Sequence, residues 1–586
     1  MSSSLGMIAY ILTNAESARA TDVRVKHARQ HLQAVHAAPL SETRVGDRRS
    51  GIISWDTQPN VQWNSMSTRA GAGTCWLHIP SVAGGPDSEI DPWDLATETL
   101  NGSMELADLG SPYAVTRWEG GTIRIANDVL GLARLFQYRF DGGVVWTTRQ
   151  GLAHIFAGVA PERNPTAWAG MATMGWAPGG ETQLGYGTQV PGGSRIQATY
   201  NSERVDIETH GEFPGWLSRV RDESAPTTHQ NVNDAELLMM TAKRWPGASV
   251  ADLSGGKDSR VVAALGIRSQ SISGVRTLNT DPGEVETARR LIALADNPVP
   301  HHIVEVNSKS APQDPFEVRL ASKHRAFEGR YLAHSALSST FNGFHSASQP
   351  RFSGLGGEVI EGGNFATGSW KEKLIGGRIG VAHDRLAKLA GSIGTSANAS
   401  EMSMATAERF VDAATDMGAS TAGEVMDLFY CRDRMPFWSV TFATPNFLCP
   451  LFAPSLLRLA MHSLGAPLEK SALHTNLIRE ALPAWTHVPF YKPEFATRTV
   501  APLWERAEWG QIKQYVERNI DASDAYDPQG LRDILSAVEA GQAGKSHEVA
   551  IVRFLWDRTF TPYVDEISFA SRRVREELHS VQDCID

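Results

Sequence analysis

Residues 248–266, ASVADLSGGKDSRVVAALG, constrain this chain more than any other stretch. Val250 and Leu253 belong to an apolar, β-branched approach that reads as a buried parallel strand. Residues 254–259 then turn the chain, and 261–265 read as a helix. Gly255 and Gly256 let the backbone come close to a ligand, while the helix start offers free N–H groups and a partial positive charge. Ser254 and Ser259 add hydroxyl donors, and Asp258 is a carboxylate suited to holding magnesium against a polyphosphate. The stretch is not the common P-loop, GxxxxGK[ST]. Ala251 stands where its first glycine belongs, and Asp258 where it requires Ser or Thr. A bare Gly-Gly is an ordinary strand-to-helix turn; the whole string SGGKDS between strand and helix predicts an anion site.

A chain of 586 residues is too long for one core, and at roughly 100–200 residues per domain it predicts two large domains or several smaller ones. Hydrophobic content of 42% and charged content of 20% exclude disorder throughout. The net charge of −10 argues against a nucleic-acid-binding surface over the whole protein. Cys75, Cys431, Cys449 and Cys584 are scattered and form no CxxC, which predicts reduced thiols in a cytoplasmic protein. No basic segment precedes the apolar run 5–12, and no uncharged run approaches ~18 residues, so neither a signal peptide nor a membrane span is expected.

From 1 to about 200 the chain is strand-like and turn-rich. Short β-rich pieces at 51–55, 121–125 and 143–147 are punctuated by Gly, Asn and Asp. The passage GTIRIANDVLGLARLFQY, followed by VVWTTRQGLAHIF, resembles the late strands of the glutamine-hydrolysing domain of asparagine synthetases, with Asp128, Gly131, Leu135 and Tyr138 fitting the pattern. That family uses an N-terminal cysteine nucleophile. Here the first residues are Met1, Ser2, Ser3 and Ser4, and the earliest cysteine is Cys75. The expectation is a retained fold without glutaminase activity, which braces the second domain or holds a partner. Residues 222–234 are polar, carry a proline and lack periodicity, and read as a linker.

Beyond it, 235–245 read as a helix capped by Asp234. A strand is expected at 272–278, a helix from Glu284 with Val285, Ala288, Leu291, Ile292 and Ala295 at helical spacing, and a third strand at 301–306. This alternation predicts a parallel, doubly wound sheet with ligands at the strand C-terminal ends. Glu284 and Glu286 read as helix-dipole partners, and His301 and His302 as structural.

The string RFSGLGGE, 351–358, is a second strand running into a glycine-rich turn that ends on a carboxylate. With SGGKDS it resembles the asparagine synthetase superfamily, whose first loop binds the pyrophosphate of ATP and whose second loop, SGEG[AS]DE, contacts nucleotide and magnesium. Here Leu355 replaces a glutamate and Glu358 takes the aspartate's place. The resemblance implies an α/β protein: an N-terminal Ntn-hydrolase-like (glutaminase-like) β-sandwich domain over 1–221, the linker 222–234, and a doubly wound parallel-sheet ATP-pyrophosphatase synthetase domain over 235–586. It implies ATP contacts from Leu253, Ser254, Gly255, Gly256, Asp258, Ser259, Ser353 and Gly354, with Mg²⁺ between Asp258 and Glu358.

Two further strings align loosely. DLFYCRDR, 427–434, matches the helix that carries a catalytic Tyr–Glu pair in the related β-lactam synthetases. Tyr430 is the candidate tyrosine, but the only acidic residue between it and Pro450 is Asp433, so the glutamate has no position. PFYKP, 489–493, resembles the tail whose lysine stabilises charge at the α-phosphate, which makes Lys492 the second catalytic candidate.

The implied chemistry is ATP-dependent carboxylate activation with release of pyrophosphate, then amide formation with release of AMP. The GLGGE form of the second loop and the missing Tyr–Glu pair look most like a lasso-peptide cyclase (macrolactam synthetase), which joins a leaderless precursor peptide's N-terminal amine to an Asp or Glu side chain. The expected partners are that precursor peptide, a leader peptidase and a leader-recognition protein, without nucleic acid or membrane. The alternatives are an asparagine synthetase or β-lactam synthetase type of ligase, and a catalytically silent peptide-binding scaffold.

Overall fold

A computed structural model describes residues 6–14, 17–36, 39–56, 66–78, 91–202, 204–244, 247–279, 281–305, 314–330, 336–337, 340–341, 350–438, 447–466, 471–491 and 501–582. Among the described residues the chain is mixed α/β, with two antiparallel sheets and one parallel sheet. The first antiparallel sheet runs, edge to edge, β10 (Gly187–Gln189), β8 (Phe136–Phe140), β9 (Gly143–Thr147), β1 (Gly6–Leu12), β3 (Ser50–Asp56) and β2 (Ser41–Gly46). The second runs β12 (Arg204–Gly211), β11 (Ser194–Asn201), β7 (Thr122–Asn127), β6 (Ala114–Glu119), β5 (Ala72–Leu77) and β4 (Met66–Arg69).

Strand β1 shows why the sheets stack. Met7, Ala9 and Ile11, with Trp146 of the neighbouring β9, face the second sheet through its Ile123 and Ile125. The alternate residues Ile8, Tyr10 and Leu12 face helices α1 (Ala18–Val35) and α2 (Gln150–Ala157) through Val25, Leu32 and Phe156. Both sides of the strand are dry, so its sequence is a continuous apolar run instead of an alternating one. The acidic turn at Asp128 is buried; its carboxylate accepts the N–H groups of Leu130, Leu132 and Ala133 at 3.1, 3.1 and 2.8 Å.

The parallel sheet has the order β15 (His301–Val304), β14 (Gly274–Leu278), β13 (Val250–Asp252), β16 (Arg351–Phe352), β17 (Phe447–Leu448), and every pairing within it is parallel. From β13 the chain first builds outward through β14 and β15, then returns to the other side of β13 with β16. The C-terminal ends of strands at such a reversal are where open α/β sheets bind ligands. The strands at 272–278 and 301–306 are found, shortened to Gly274–Leu278 and His301–Val304.

The expected linker is corrected. Helix α3 (Thr228–Met240) begins inside 222–234, so Asp234 lies within a helix instead of capping one. Its cap is Thr227, whose hydroxyl accepts from Gln230 N at 3.2 Å while Gln230 Oε1 accepts from Thr227 N at 2.8 Å. This reciprocal box overrides the polar composition that read as linker. Asp234 Oδ2 instead accepts from Ser455 N at 3.2 Å. Chain order continues with α4 (Lys257–Arg268), α5 (Pro282–Ala293), α6 (Phe316–Phe327), α7 (Gly357–Glu361), α8 (Ala422–Phe429), α9 (Ala472–Ala481) and α10 (Thr561–Gln582). Among the described residues no helix is long and apolar enough to cross a membrane.

Helix α10 returns to the N-terminal half and completes its outer layer. Tyr563, Ile567 and Val574 are buried against α1 and α2, and Arg575 donates to Gly158 O at 3.0 Å. The join is organised by Glu328. Helix α2 lacks a side-chain cap of its own, and Glu328 supplies one from 178 residues away, accepting Gln150 N at 2.9 Å and Gly151 N at 2.8 Å. The same carboxylate accepts the Tyr563 hydroxyl of α10 at 2.8 Å. A buried anion at a helix N-terminus is favourable, and removing it strands three buried donors. Glu328→Ala is expected to lower stability by about 3 kcal/mol, measured by urea denaturation, and to speed proteolysis within 561–582.

Candidate functional site

The first loop leaves β13 through Asp252, which fixes three neighbouring strands. Arg276 of β14 donates to its Oδ1 at 2.7 Å, and Arg351 of β16 to its Oδ2 at 2.6 Å. Leu253 is buried at the strand end. The two serines then close the turn on themselves. Ser259 Oγ accepts from Ser254 N at 3.0 Å and lies 2.9 Å from Ser254 Oγ, which accepts from Gly256 N at 3.1 Å. Gly256 stands at the N-cap of α4 and provides no side-chain cap, so the first-turn N–H groups stay available to an anion.

The second loop lies against the first at the switch point. A Cβ on Gly354 would come within 2.6 Å of Ser259 N, and one on Gly357 within 2.0 Å of Asp258 Oδ1. Only glycine permits either approach. Ser353 Oγ accepts from Leu355 N at 3.3 Å, and Gly356, at φ 104°, turns the chain into α7. Burial, and then the neighbouring Asp258 carboxylate, push the Glu358 carboxyl above its ordinary range, while the N–H of Gly356 partly offsets both. The expected constellation of Ser254, Gly255, Gly256, Asp258, Ser259, Ser353, Gly354 and Glu358 is therefore brought together.

The pair Asp258 and Glu358 fits a divalent cation on its own chemistry. Asp258 Oδ1 is buried and accepts no hydrogen bond, and the Asp258 carboxylate raises the cost of ionising Glu358. Among the described residues no group of three or more His, Cys, Asp or Glu side chains forms a protein-only metal cage. Magnesium commonly takes one or two carboxylates and fills its remaining positions with phosphate oxygens and water.

Two partners of the first loop carry no sequence signal. His474 of α9 is fully buried, and its Nε2 lies 2.6 Å from Asp258 Oδ1 without the alignment of a hydrogen bond. Lys257 pairs with Glu361 at the end of α7, whose other oxygen accepts Ser471 N at 3.0 Å. A lone histidine in an amphipathic helix and a charge pair 104 residues apart become visible only once the chain is folded.

Tyr430 starts a π-helical turn, Tyr430–Arg434, that follows α8 and aims its ring inward beside Phe365 at 5.8 Å and Arg434 at 5.2 Å. Burial first, then the Glu358 carboxylate, push its phenol up, so it stays protonated. Asp433 is committed elsewhere, accepting Trp176 Nε1 at 2.8 Å and Gly179 N from the N-terminal half. Lys492 lies outside the described residues. His301 bonds Thr277 Oγ1 at 2.8 Å, in keeping with a structural role.

No protein-family model and no curated protein matches the chain. Among solved structures it is similar to the allosteric regulatory enzyme of purine biosynthesis, at 10% identity, over 52% of this chain and 82% of that one, with a TM-score of 0.23. It is similar also to the glutamine phosphoribosylpyrophosphate amidotransferase from B. subtilis complexed with ADP and GMP, at 9% identity, over 51% of this chain and 65% of that one, with a TM-score of 0.22. Overlaps this loose fix neither the fold nor the chemistry of this chain, and both rest on its own geometry.

The contact between the loops is open to a direct check. Gly357→Ala sets a methyl against Asp258 and is expected to cost about 2 kcal/mol by overpacking. Gly510→Ala, where an added Cβ meets nothing within 4 Å, should be neutral or slightly stabilising. Denaturation midpoints of the two variants measure the difference.

Proposed function

We propose that this chain is an ATP-dependent, AMP-forming amide ligase of the asparagine synthetase type, and within that class a lasso-peptide cyclase. The observation that carries the reading is the meeting of two glycine turns at the sheet's reversal, with Asp258 of one against Gly357 and Glu358 of the other. In this reading the uncapped start of α4 and the hydroxyls of Ser254 and Ser259 receive the β- and γ-phosphates of ATP. Asp258 and Glu358 would hold magnesium, which supplies charge neutralisation as the α–β phosphoanhydride breaks.

A carboxylate oxygen of the substrate attacks the α-phosphorus, and pyrophosphate leaves with the electrons of the broken bond. An amine then attacks the acyl carbon, AMP departs, and the amine proton passes to solvent or a base. Tyr430, kept protonated, would donate a hydrogen bond near the reacting carboxyl, and Lys492 would stabilise charge at the α-phosphate. The three described cysteines, Cys75, Cys431 and Cys449, are all buried, so none offers an exposed thiol for glutamine hydrolysis. The amine then comes from the acyl substrate itself: the N-terminal amine of a precursor peptide closes on its Asp or Glu side chain. A leader peptidase and a leader-recognition protein would deliver that peptide in the cytoplasm.

Incubation with ATP, Mg²⁺ and a leaderless peptide should release AMP and lower the peptide mass by one water. Asparagine formed from aspartate and ammonia would move the assignment to a synthetase, and ADP in place of AMP would end it. Asp258→Ala should cut AMP release by roughly a hundredfold or more while leaving the circular dichroism spectrum unchanged, in line with loss of one preorganised electrostatic group.

A further inference from the structure

Residues 483–491 form a strap across the back of the first loop. It begins as the helical turn Pro483–His487, is anchored by buried Trp485 and Val488, and ends on Phe490 and Tyr491. Arg260 of α4, 1% exposed, holds it down: its guanidinium donates to Val488 O, to Pro489 O at 3.0 Å and to Gly255 O at 3.1 Å, and lies over the Phe490 ring at 4.6 Å. The Gly255 carbonyl takes a second donor from the strap, Tyr491 N, at 2.9 Å. The loop's central carbonyl is thus pinned from behind by two donors. Because the peptide unit is planar, this fixes the plane of the 255–256 bond and with it the N–H that bonds Ser254 Oγ.

The Tyr491 side chain extends the strap sideways. The side chain occupies the space that a Cβ would need at both Gly255 and Gly283: its own Cβ would lie 2.3 Å from the first, and its ring 2.5 Å from the second. Its hydroxyl donates to the Asp281 carboxylate, with Oδ1 and Oδ2 at 3.0 and 3.1 Å. Asp281 is the N-cap of α5, accepting Gly283 N at 2.8 Å. One side chain therefore ties the turn after β13 to the turn after β14, at two glycines that have no room for anything larger.

We infer that Tyr491 is a positioning residue: its clasp on Asp281 holds the first loop in the shape that receives the phosphates of ATP. The inference rests on the ligase reading above. A loop held open before the ligand arrives loses less conformational freedom on binding, so loosening the clasp weakens ATP without altering the chemistry that follows.

Tyr491→Phe removes the hydroxyl and keeps the ring, so the fold survives; Gly283→Ala displaces the ring from the other side. Both are expected to raise KM for ATP roughly tenfold, the scale of one hydrogen bond to a charged group, with kcat changed less than about twofold. A merely structural Tyr491 would lower the melting temperature and leave KM where it was, and that result overturns the inference. Amide hydrogen exchange on the ligand-free protein reads the clasp independently of any reaction. Faster exchange across 254–259 in Tyr491→Phe supports it, and unchanged exchange overturns it. Faster exchange in a protein that binds no ATP would sink the ligase reading while leaving the clasp standing.

Discussion

The architecture of the candidate site depends on one close approach: the Asp258 carboxylate against the bare backbone of Gly357. Two loops far apart in sequence come this close only because the second carries no side chain at the point of contact, and its Gly354 and Gly357 meet that condition. The approach also sets the Asp258 charge near enough to raise the cost of ionising Glu358, behind the larger effect of burial. Asp252 acts one residue below the loop. By binding arginines from β14 and β16 it sets the height of the strands from which both turns spring.

Much of this was legible in the sequence, and the reasons are physical. A strand, a glycine turn and a helix in close succession have local signatures, so the turns at 254–259 and 353–358 and the parallel sheet could be read from periodicity and glycine placement. The stacked sheets were legible in outline, since β3, β7 and β9 carry short β-branched runs between turn residues. The start of α3 was missed because its polar residues look like a linker, while the Thr227–Gln230 box stabilises a helix there.

Other features had no local signature at all. His474, Glu328 and Tyr491 each act on groups more than 170 residues away, and each residue type is common in roles without function. Tyr430 was legible as a position but not as a state. Its burial and the nearby Glu358 carboxylate decide that it keeps its proton, and neither neighbour follows from spacing along the chain.

The return of α10 to the N-terminal half has a consequence for biogenesis. Helices α1 and α2 leave the ribosome hundreds of residues before Tyr563, Ile567 and Val574, the side chains that cover them. Until that stretch emerges, the outer layer of the first sheet presents an uncovered apolar surface, and α2 lacks the carboxylate that caps it until Glu328 has been made. Exposed apolar surface of that kind is aggregation-prone during synthesis. The chain's two ends mature together, and a tag or fusion that restrains the chain near 580 would be felt in the first sheet.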